Sequence, residues 1–516
     1  MPVYQVAQWG TQWGAQWGTR SRGLLLAAVA GTAAGCDMGP AYRPDPAPPP
    51  AAFRANFPGA QAVWPDEGWW RGFSSPELNA LIEAARQYNL DIAAAVARVR
   101  QADAQLRIAG APLLPSISAS GAASWQHLGL NASSGGTRSR GGGGTGSIDL
   151  HSYSFGLNAA YELDFWGKAV AGRQSALSSA MFSRYDQQTV ALSVVTNVAT
   201  TWFTALNLAD RLRIAGRNLA DARQTLAVIR GRREAGTASD LDVAQQETFV
   251  ASERATIPGL QSQMEQQVIG LGILTGQPPE AITLSPGTLT RLSLPPVVPG
   301  LPSELLTRRP DVASAEAALM ARNFDIKVAR AAFFPAIQLT GSAGYQAAAL
   351  NRLIGPGGLL LSLAAGVTAP IFDGGTLRGQ LEFAKGRYDE QLAVYQKAVL
   401  QAFTDVDNAL TAWRFATEQE ALQQVAVDQA RRAATIARAQ MAAGTVDIIT
   451  VLTTETTLLN NEDTLAQVRL AKVQGLLGLY RALGGGWQRS GNERHPGLSP
   501  GMLGGGLALP IGEIIE

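Results

Sequence analysis

Few residues in this chain are of the types that perform chemistry. Its three histidines, His127, His151 and His495, are scattered along the sequence, and its single cysteine is Cys36. A zinc site needs several such ligands and a hydrolase needs a nucleophile beside a base, so neither kind of site is indicated. The glycine run GGGGTG at 141–146 lacks the Gly-Lys-Ser/Thr ending of a phosphate-binding loop. The sequence therefore predicts that the protein is not an enzyme and holds neither a metal nor another cofactor.

Cys36 is the one residue whose surroundings predict a modification. Residues 20–36 have the sequence RSRGLLLAAVAGTAAGC, in which basic residues precede a short apolar run and small residues precede the cysteine. This order is typical of a bacterial lipoprotein signal, after which Cys36 becomes the N-terminus and carries acyl chains such as palmitate. A plain signal peptide with an incidental cysteine is the alternative. Asp37 resembles a signal for retention in the inner membrane, which leaves the sorting of the lipoprotein open.

The charge balance gives no reason to expect a nucleic-acid partner. Lys and Arg number 42 and Asp and Glu number 41, for a formal net charge of +1. The chain has no basic stripe with interleaved aromatic residues, which is the usual footprint of a nucleic-acid-binding surface. Nucleic acid is therefore not a predicted partner.

The chain contains nearly the same pattern twice. Residues 111–124 have the sequence APLLPSISASGAAS, and residues 331–345 have the sequence AAFFPAIQLTGSAGY. Pro335 lies 220 residues after Pro115, and Gly444 lies 208 residues after Gly236. Most of that change falls at 131–147, a glycine-rich segment without a counterpart in the second half. The sequence therefore predicts one supersecondary unit that was duplicated.

Each repeat is predicted to contain a helix, two strands and a long helical hairpin. Residues 76–110 have a helical apolar period, and the period then changes to two. The predicted strands are about 13–16 residues long, which is enough to cross a bilayer when tilted. They begin at Leu114 and at about 149 in the first repeat, and cover 336–348 and 358–372 in the second. The long helices cover 169–234 and 376–442, each about 100 Å in length.

Four strands cannot close a barrel within one chain. Open strand edges are not viable in lipid, so closure requires further copies of the chain, and three protomers would supply twelve strands. Oligomerisation is therefore a physical requirement of a membrane-spanning interpretation. Trp202, Phe203, Trp413 and Phe415 are predicted to pack between helices or in a surrounding belt.

Each long helix ends at an Ala-Gly-Thr turn, at 235–237 and at 443–445. The turn glycine suits a left-handed C-cap. Ser239 or Asp240 in the first repeat, and Asp447 in the second, are suited to the N-cap or first turn of the returning helix.

Several motifs occur in a fixed order between Trp64 and Trp487. They are WWRGFSSPELNALIEAA (69–85), YELDFWGK (161–168), RRPDVASAEAAL (308–319), APIFDGG (369–375) and ALGGGW (482–487). In this order they resemble the outer membrane factor family, the TolC/OprM-like outer-membrane efflux proteins, in its NodT-type lipoprotein branch. The resemblance implies an α+β membrane protein, a homotrimer. Its twelve-stranded outer-membrane β-barrel, with four strands per protomer, is continued by a long periplasmic α-helical barrel.

The resemblance also implies a division of the chain. The segments are a lipoprotein signal region (1–36), an N-terminal tether and equatorial segment (37–75), the first repeat (76–282), an equatorial linker (283–305), the second repeat (306–484) and a C-terminal equatorial or disordered tail (485–516).

The function that the resemblance implies is a passive exit duct of a tripartite efflux system. Such a duct lies in the outer membrane of a Gram-negative bacterium, is anchored in outer-membrane lipid and extends into the periplasm. It exports small toxic compounds or drugs after docking to a periplasmic membrane-fusion adaptor and an inner-membrane pump of the RND or ABC type. The docking turns of the family match Gly236, Thr237, Gly444 and Thr445. A helix C-cap alone is the alternative for the two glycines.

The family's periplasmic aperture matches residues at the start of the returning helices. They are Asp240, Asp242, Asp447, Thr450 and Thr453, the two threonines standing where some members carry aspartates. Three copies of Asp242 form a charged ring on this interpretation, which attracts cations. An acid placed in a first turn by the helix dipole is the alternative for Asp242.

Two other functions stay open at this point. A type I protein-secretion duct would share every feature named so far. A lipid-anchored periplasmic coiled-coil scaffold without a pore would explain the long helices, although the paired strands count against it.

Overall fold

The computed structural model of the chain describes residues 50, 53–54, 63–130, 146–285, 287–296, 300, 302–355 and 357–489. Cys36 lies outside the described residues, as do Asp37, His495 and residues 141–145 of the glycine run. The predicted acylation of Cys36 therefore stays a prediction.

Helices and strands follow one another in the predicted order. The helices are α1 (Pro76–Tyr88), α2 (Leu90–Gly110), α3 (Lys168–Glu234), α4 (Asp240–Thr275), α5 (Pro302–Leu305), α6 (Pro310–Ala331), α7 (Thr376–Ala442) and α8 (Ile448–Ala482). The strands are β1 (Ser116–Leu130), β2 (Gly146–Leu163), β3 (Ala336–Ala347) and β4 (Leu359–Thr368). The long helices α3 and α7 each have 67 residues.

The predicted helix over 76–110 is two helices, and the prediction was wrong at Asn89. Asn89 is extended, with ψ 130°. Its side-chain oxygen accepts hydrogen bonds from the backbone N–H groups of Asp91 (2.9 Å) and Ile92 (3.0 Å), so it caps α2. Its amide also donates to the carbonyl oxygen of Leu274 at 2.8 Å. The break thus fixes the start of α2 and ties it to the end of α4.

The chain divides into two compact units that cut across the repeats. The first unit comprises 1–43, 103–178 and 319–390, and it contains the four strands. These strands form one antiparallel sheet in the order β1-β2-β3-β4. Trp166 fastens the end of β2 in this unit, because it stacks on Phe334 and donates a hydrogen bond to the carbonyl of Pro335 at 2.8 Å.

The second unit comprises 44–102, 179–318 and 391–516 and contains most of the four long or returning helices. An aromatic cluster holds its belt: Trp69 stacks on Tyr480 at 4.6 Å, and Phe73 meets Phe203 edge to face at 5.0 Å. Trp202 donates a hydrogen bond to the Glu77 carboxylate at 2.7 Å. The predicted packing of Trp202 and Phe203 is confirmed.

One described helix, α3, is long and apolar enough to cross a membrane by length and composition alone. Half of its most apolar stretch is buried within the chain. Protein packing therefore accounts for much of that apolar character.

Candidate functional site

The four-stranded sheet has one apolar and one polar face. Residues directly opposite one another on neighbouring strands share a face. One apolar row runs Ile117, Ala159, Gly341, Leu363, and the next runs Ala119, Leu157, Ala343, Leu361. The side chains of Leu361 and Leu363 are 70% and 88% exposed in the single chain. The apolar face thus needs a cover that the protomer does not supply.

The opposite face carries hydroxyl and amide side chains. One row of this face runs Ser118, Asn158, Ser342, Ser362 across all four strands. Ser342 and Ser362 are hydrogen-bonded at 2.7 Å, and Asn158 donates to Ser120 at 3.0 Å. These are neutral donors and acceptors that offer hydrogen bonds along a surface without selecting a charge.

Glu162 is a charged residue on the polar face. It lies near the end of β2 and pairs with Lys168 at 3.7 Å. The face is therefore close to neutral in the described strands.

Two histidines that are 24 residues apart in sequence come together near the far end of the β1–β2 hairpin. His127 lies opposite Asp149, and Trp125 lies opposite His151. The Asp149 carboxylate contacts the His127 ring nitrogen at 2.7 Å and accepts a hydrogen bond from the Trp125 indole at 3.2 Å. The described residues contain no group of three or more His, Cys, Asp and Glu residues able to hold a metal ion. The cluster forms a polar end to the apolar face.

The two predicted turns have the same backbone geometry. Gly236 and Gly444 are left-handed, with φ 76° and 79°. The N–H of Thr237 donates to the carbonyl of Arg232 at 2.8 Å, and the N–H of Thr445 donates to the carbonyl of Gln440 at 2.9 Å. This six-residue closure is a Schellman C-cap, and both glycines serve it.

Space at the turns is open. A Cβ atom added to Gly236 would meet no atom within 4 Å, and one added to Gly444 would meet only the end of the Arg232 side chain, at 4.0 Å. The turns are therefore free surface in the single chain, apart from their role as caps.

The returning helices begin with reciprocal side-chain pairs. Ser239 accepts a hydrogen bond from the N–H of Asp242 at 3.2 Å, while the Asp242 carboxylate accepts one from the N–H of Ser239 at 2.7 Å. In the second repeat Asp447 is the cap, and it accepts from the N–H and the hydroxyl of Thr450 at 3.0 and 2.6 Å. Each cap thus combines one carboxylate with one hydroxyl in opposite order.

The predicted aperture residues are exposed or half-buried and already have partners within the protomer. Asp240 pairs with Arg233 at 2.5 Å, and the hydroxyl of Thr453 donates to the carbonyl of Ile449 at 2.8 Å. Hydrogen bonds from Thr450 hold the pKa of Asp447 below its ordinary value. The carboxylates at this end of the protein therefore stay ionised at neutral pH.

The two turns are brought together by an apolar cluster. Ile229 of α3 packs with Ala437 and Met441 of α7 and with Ile448 and Val451 of α8. Arg232 donates to the carbonyl of Ala442 at 3.1 Å. The two hairpins of one protomer thus meet at their tips.

An ionic network above the tips was missed in the sequence. Arg438 contacts Glu455 at 2.7 Å and Asp221 at 3.2 Å, so it joins α7, α8 and α3. Arg211 of α3 makes a bidentate pair with Asp463 of α8, at 2.6 and 3.1 Å. The repeat offset was the available signal, because Arg230 and Glu247 occupy the positions of Arg438 and Glu455 in the first repeat.

The RRPD segment holds the start of α6. Arg309 is 6% exposed and donates to the carboxylates of Asp311 (2.6 Å) and Asp405 (2.9 Å). It also donates to the carbonyls of Ala402 and Ala482 at 3.4 and 3.2 Å. Burial opposes ionisation of Asp311, yet the Arg309 hydrogen bonds and charge hold its pKa below the ordinary value. Arg309 is thus a structural clasp between α6, α7 and α8.

Comparison with known proteins identifies this arrangement. The family model described as "Outer membrane efflux protein" matches residues 81–277 and 301–485. The chain is 40% identical over 467 residues to the pyoverdine export outer membrane protein OpmQ of Pseudomonas aeruginosa, covering 90% of this chain and 95% of that protein. It is 30% identical over 473 residues to the toluene efflux pump outer membrane protein TtgC of Pseudomonas putida, covering 90% and 95%. The solved outer-membrane channel OprN superposes with a TM-score of 0.80 at 28% identity, covering 88% of this chain and all of that one.

Proposed function

This chain belongs to the outer membrane efflux protein family, and from that premise we propose which cargo it exports and which of its residues meet its partners. The protein is an exit duct for tripartite efflux in the outer membrane of a Gram-negative bacterium, and it extends into the periplasm. A coiled-coil scaffold without a pore is therefore excluded. Transport through such a duct needs no catalysis by this chain.

The fold gives the two sheet faces their meaning. Four strands from each of three protomers form a twelve-stranded barrel, which a helical barrel continues. In an outer-membrane barrel the apolar side chains face lipid and the polar side chains face the water-filled interior. The rows of Leu361 and Leu363 thus contact lipid, and the row of Ser118, Asn158 and Ser342 lines the lumen.

The cargo that suits this lumen is a small, polar, hydrogen-bonding molecule of the pyoverdine type. The observation that carries the proposal is the neutral row of Ser118, Asn158, Ser342 and Ser362, since hydroxyl and amide groups replace lost water contacts of a polar solute. The 40% identity to a pyoverdine exporter supports the same cargo class. An apolar solvent would gain nothing from such a lining.

The cargo proposal is tested by comparing a deletion strain with the complemented strain. Mass spectrometry of the medium and of the periplasm would follow secreted polar metabolites, and growth in toluene would follow solvent efflux. We expect a polar metabolite to move from the medium to the periplasm on deletion, with toluene tolerance unchanged. Lost toluene tolerance with unchanged metabolites contradicts the proposal, and loss of a secreted protein instead indicates a type I secretion duct.

Docking is assigned to the turns at Gly236–Thr237 and Gly444–Thr445. They are open on their outer side, and the last turn of α3 adds two arginines, Arg232 and Arg233, beside them. The proposed partner is a periplasmic membrane-fusion adaptor, itself joined to an inner-membrane pump of the RND or ABC type. Lipid anchoring through Cys36 belongs to the same proposal.

The aperture is assigned to Asp240, Asp242, Asp447, Thr450 and Thr453. Asp242 keeps its charge while it caps α4, so three copies place three carboxylates at the narrow end. An Asp242→Asn variant removes the charge but keeps an oxygen that accepts the Ser239 N–H. We expect the cation preference of single channels in a planar bilayer to fall several-fold, with thermal stability nearly unchanged.

An Asp91→Asn variant is the matched control, since Asp91 is also a first-turn acid but lies in α2. Unchanged ion selectivity in Asp242→Asn would reduce Asp242 to its capping role.

A further inference from the structure

The helical hairpins of the two repeats correspond residue by residue at a separation of 208. The helices α3 and α7 both have 67 residues, and the α4 and α8 caps are at Ser239 and Asp447. Each position in α3 and α4 therefore has a defined counterpart in α7 and α8. The contacts of one repeat can be compared directly with those available to the other.

Within one protomer, α3 packs along α8. Asn207 donates to the carbonyl of Ala466 at 2.6 Å, Arg211 pairs with Asp463 at 2.6 Å, and the hydroxyl of Thr225 donates to Glu455 at 3.3 Å. This contact, the α3–α8 seam, buries the facing side of α8. Glu455 is 4% exposed, Leu465 5% and Ala466 5%.

The counterpart face on α4 has no such cover. Glu247 stands at the position of Glu455 and has a side chain that is 48% exposed. Ile257 and Pro258 stand at the positions of Leu465 and Ala466; Ile257 is half-buried and Pro258 is exposed. The same helix face is thus covered in the second repeat and open in the first.

The counterpart of the α3 face on α7 is an exposed apolar stripe. Its residues, here called the α7 stripe, are Phe415, Leu422, Val425, Gln429 and Ile436. The four apolar members are 53%, 66%, 58% and 47% exposed. Their spacings of 7, 3, 4 and 7 residues place them along one side of a helix. A protomer therefore carries one satisfied seam and the two unsatisfied halves of a second one.

We propose that the α7 stripe of each protomer packs along α4 of a second copy of the chain, in the way that α3 packs along α8 within one protomer. A head-to-tail contact of this kind uses two different surfaces and closes into a ring when the rotation permits. Each copy then alternates with the next, so that every α4 face is covered. This inference rests on the trimeric fold and is independent of the proposed cargo and adaptor.

The two kinds of seam differ in chemistry. The Arg211–Asp463 pair has Gln419 and Ala255 at the counterpart positions, and Asp221 is replaced by Gln429. The α3–α8 seam is therefore held by ion pairs, whereas the seam between copies is apolar. The two hairpins of one protomer form the more tightly specified unit, and the ring opens between copies before it opens within one.

Cysteine pairs test the assignment, since Cys36 is the sole natural cysteine. Glu247→Cys with Ala433→Cys places thiols at positions that correspond to Glu455 and Thr225, which touch within one protomer. After treatment of the purified full-length trimer with a short bis-maleimide, we expect covalent dimers and trimers on a denaturing gel. The matched pair, Thr225→Cys with Glu455→Cys, should give only cross-linked monomer. Single-cysteine variants control for Cys36.

The outcomes separate this inference from the assembly itself. Light scattering reports whether the variants are trimeric. A trimer in which the 247/433 pair gives no covalent dimer overturns the assignment, while a protein that is not trimeric overturns the fold on which it rests.

A salt series gives an independent readout. We expect the wild-type trimer to dissociate at nearly the same temperature in low and high sodium chloride, because an apolar seam is not screened. Dissociation promoted by salt at unchanged helicity contradicts an apolar seam between copies.

Discussion

At the scale of single residues, the tip glycines combine a backbone requirement with open space. Gly236 and Gly444 hold φ values near 76° and 79°, which suit glycine and disfavour branched side chains. A Cβ atom at Gly236 meets nothing within 4 Å, so the requirement comes from the backbone and not from crowding. Stability and docking can therefore be separated by the choice of substitution.

Asparagine tolerates the left-handed region better than valine does. We expect Gly236→Val to destabilise the folded trimer by about 1–2 kcal/mol. Gly236→Asn should cost clearly less, and thermal unfolding followed by circular dichroism measures both. Gly167→Asn is the matched control, because Gly167 has φ 71° and open space but lies in the turn before α3. Equal losses for Asn and Val at Gly236 would contradict a purely conformational cost.

Glu253 is a buried acid whose environment disfavours its charge. It is 7% exposed, and burial raises the pKa of its carboxyl. A raised pKa in the folded state gives stability that is present at acidic pH and is lost as the pH rises through the folded-state pKa. The counterpart in the second repeat is neutral, Asn461, and accepts a hydrogen bond from Gln423 at 3.0 Å.

We therefore expect Glu253→Gln to raise the thermal midpoint at pH 8, with a smaller gain at pH 4. Glu247→Gln is the control, because the Glu247 carboxylate is half-exposed and paired with Arg230. A larger gain at pH 4 than at pH 8 would contradict the raised pKa of Glu253.

At the scale of elements, Arg309 shows how a sequence motif can be structural. Its guanidinium joins the start of α6 to Asp405 of α7 and to the carbonyl of Ala482 at the end of α8. Removing one partner of a buried ion pair leaves the other charge uncompensated, which costs about 3–5 kcal/mol.

We expect Arg309→Ala to lower the free energy of unfolding by about that amount, 3–5 kcal/mol, measured by chemical denaturation. Arg71→Ala is the matched control, since Arg71 pairs with Glu83 on the surface and should change stability by less than about 1 kcal/mol. Similar losses in both variants would contradict the clasp.

The elements also show which features of the site were accessible from the sequence. The turns at 235–237 and 443–445 and the caps at Ser239 and Asp447 were predicted, because a cap depends on residues within one helical turn. The break at Asn89 was missed, since the apolar period continues through it. The network of Arg438, Glu455 and Asp221 was also missed, because it exists only after the two repeats have stacked.

At the scale of the whole molecule, duplication and open strand edges predict the assembly. Four strands and two hairpins cannot close by themselves, and this requirement for further copies follows from the amino-acid sequence alone. The direction of the sheet faces was less accessible, because Ala, Gly and Ser dominate both. Only the register, which aligns Ser118, Asn158, Ser342 and Ser362 in one row, separates the lumen face from the lipid face.

The most direct test of an exit duct that docks through its turns is the distribution of a polar cargo between the periplasm and the medium. A deletion strain would carry the wild type, the Gly236→Asn/Gly444→Asn variant or the Gly167→Asn variant, each confirmed as a trimer in the outer membrane. We expect the wild type and Gly167→Asn to restore the cargo to the medium and the tip variant to leave at least about tenfold more in the periplasm, a change of about 1.4 kcal/mol in effective docking. Full export by the tip variant would contradict docking at these turns. Cargo retained in the periplasm with the wild-type duct present would contradict the duct itself.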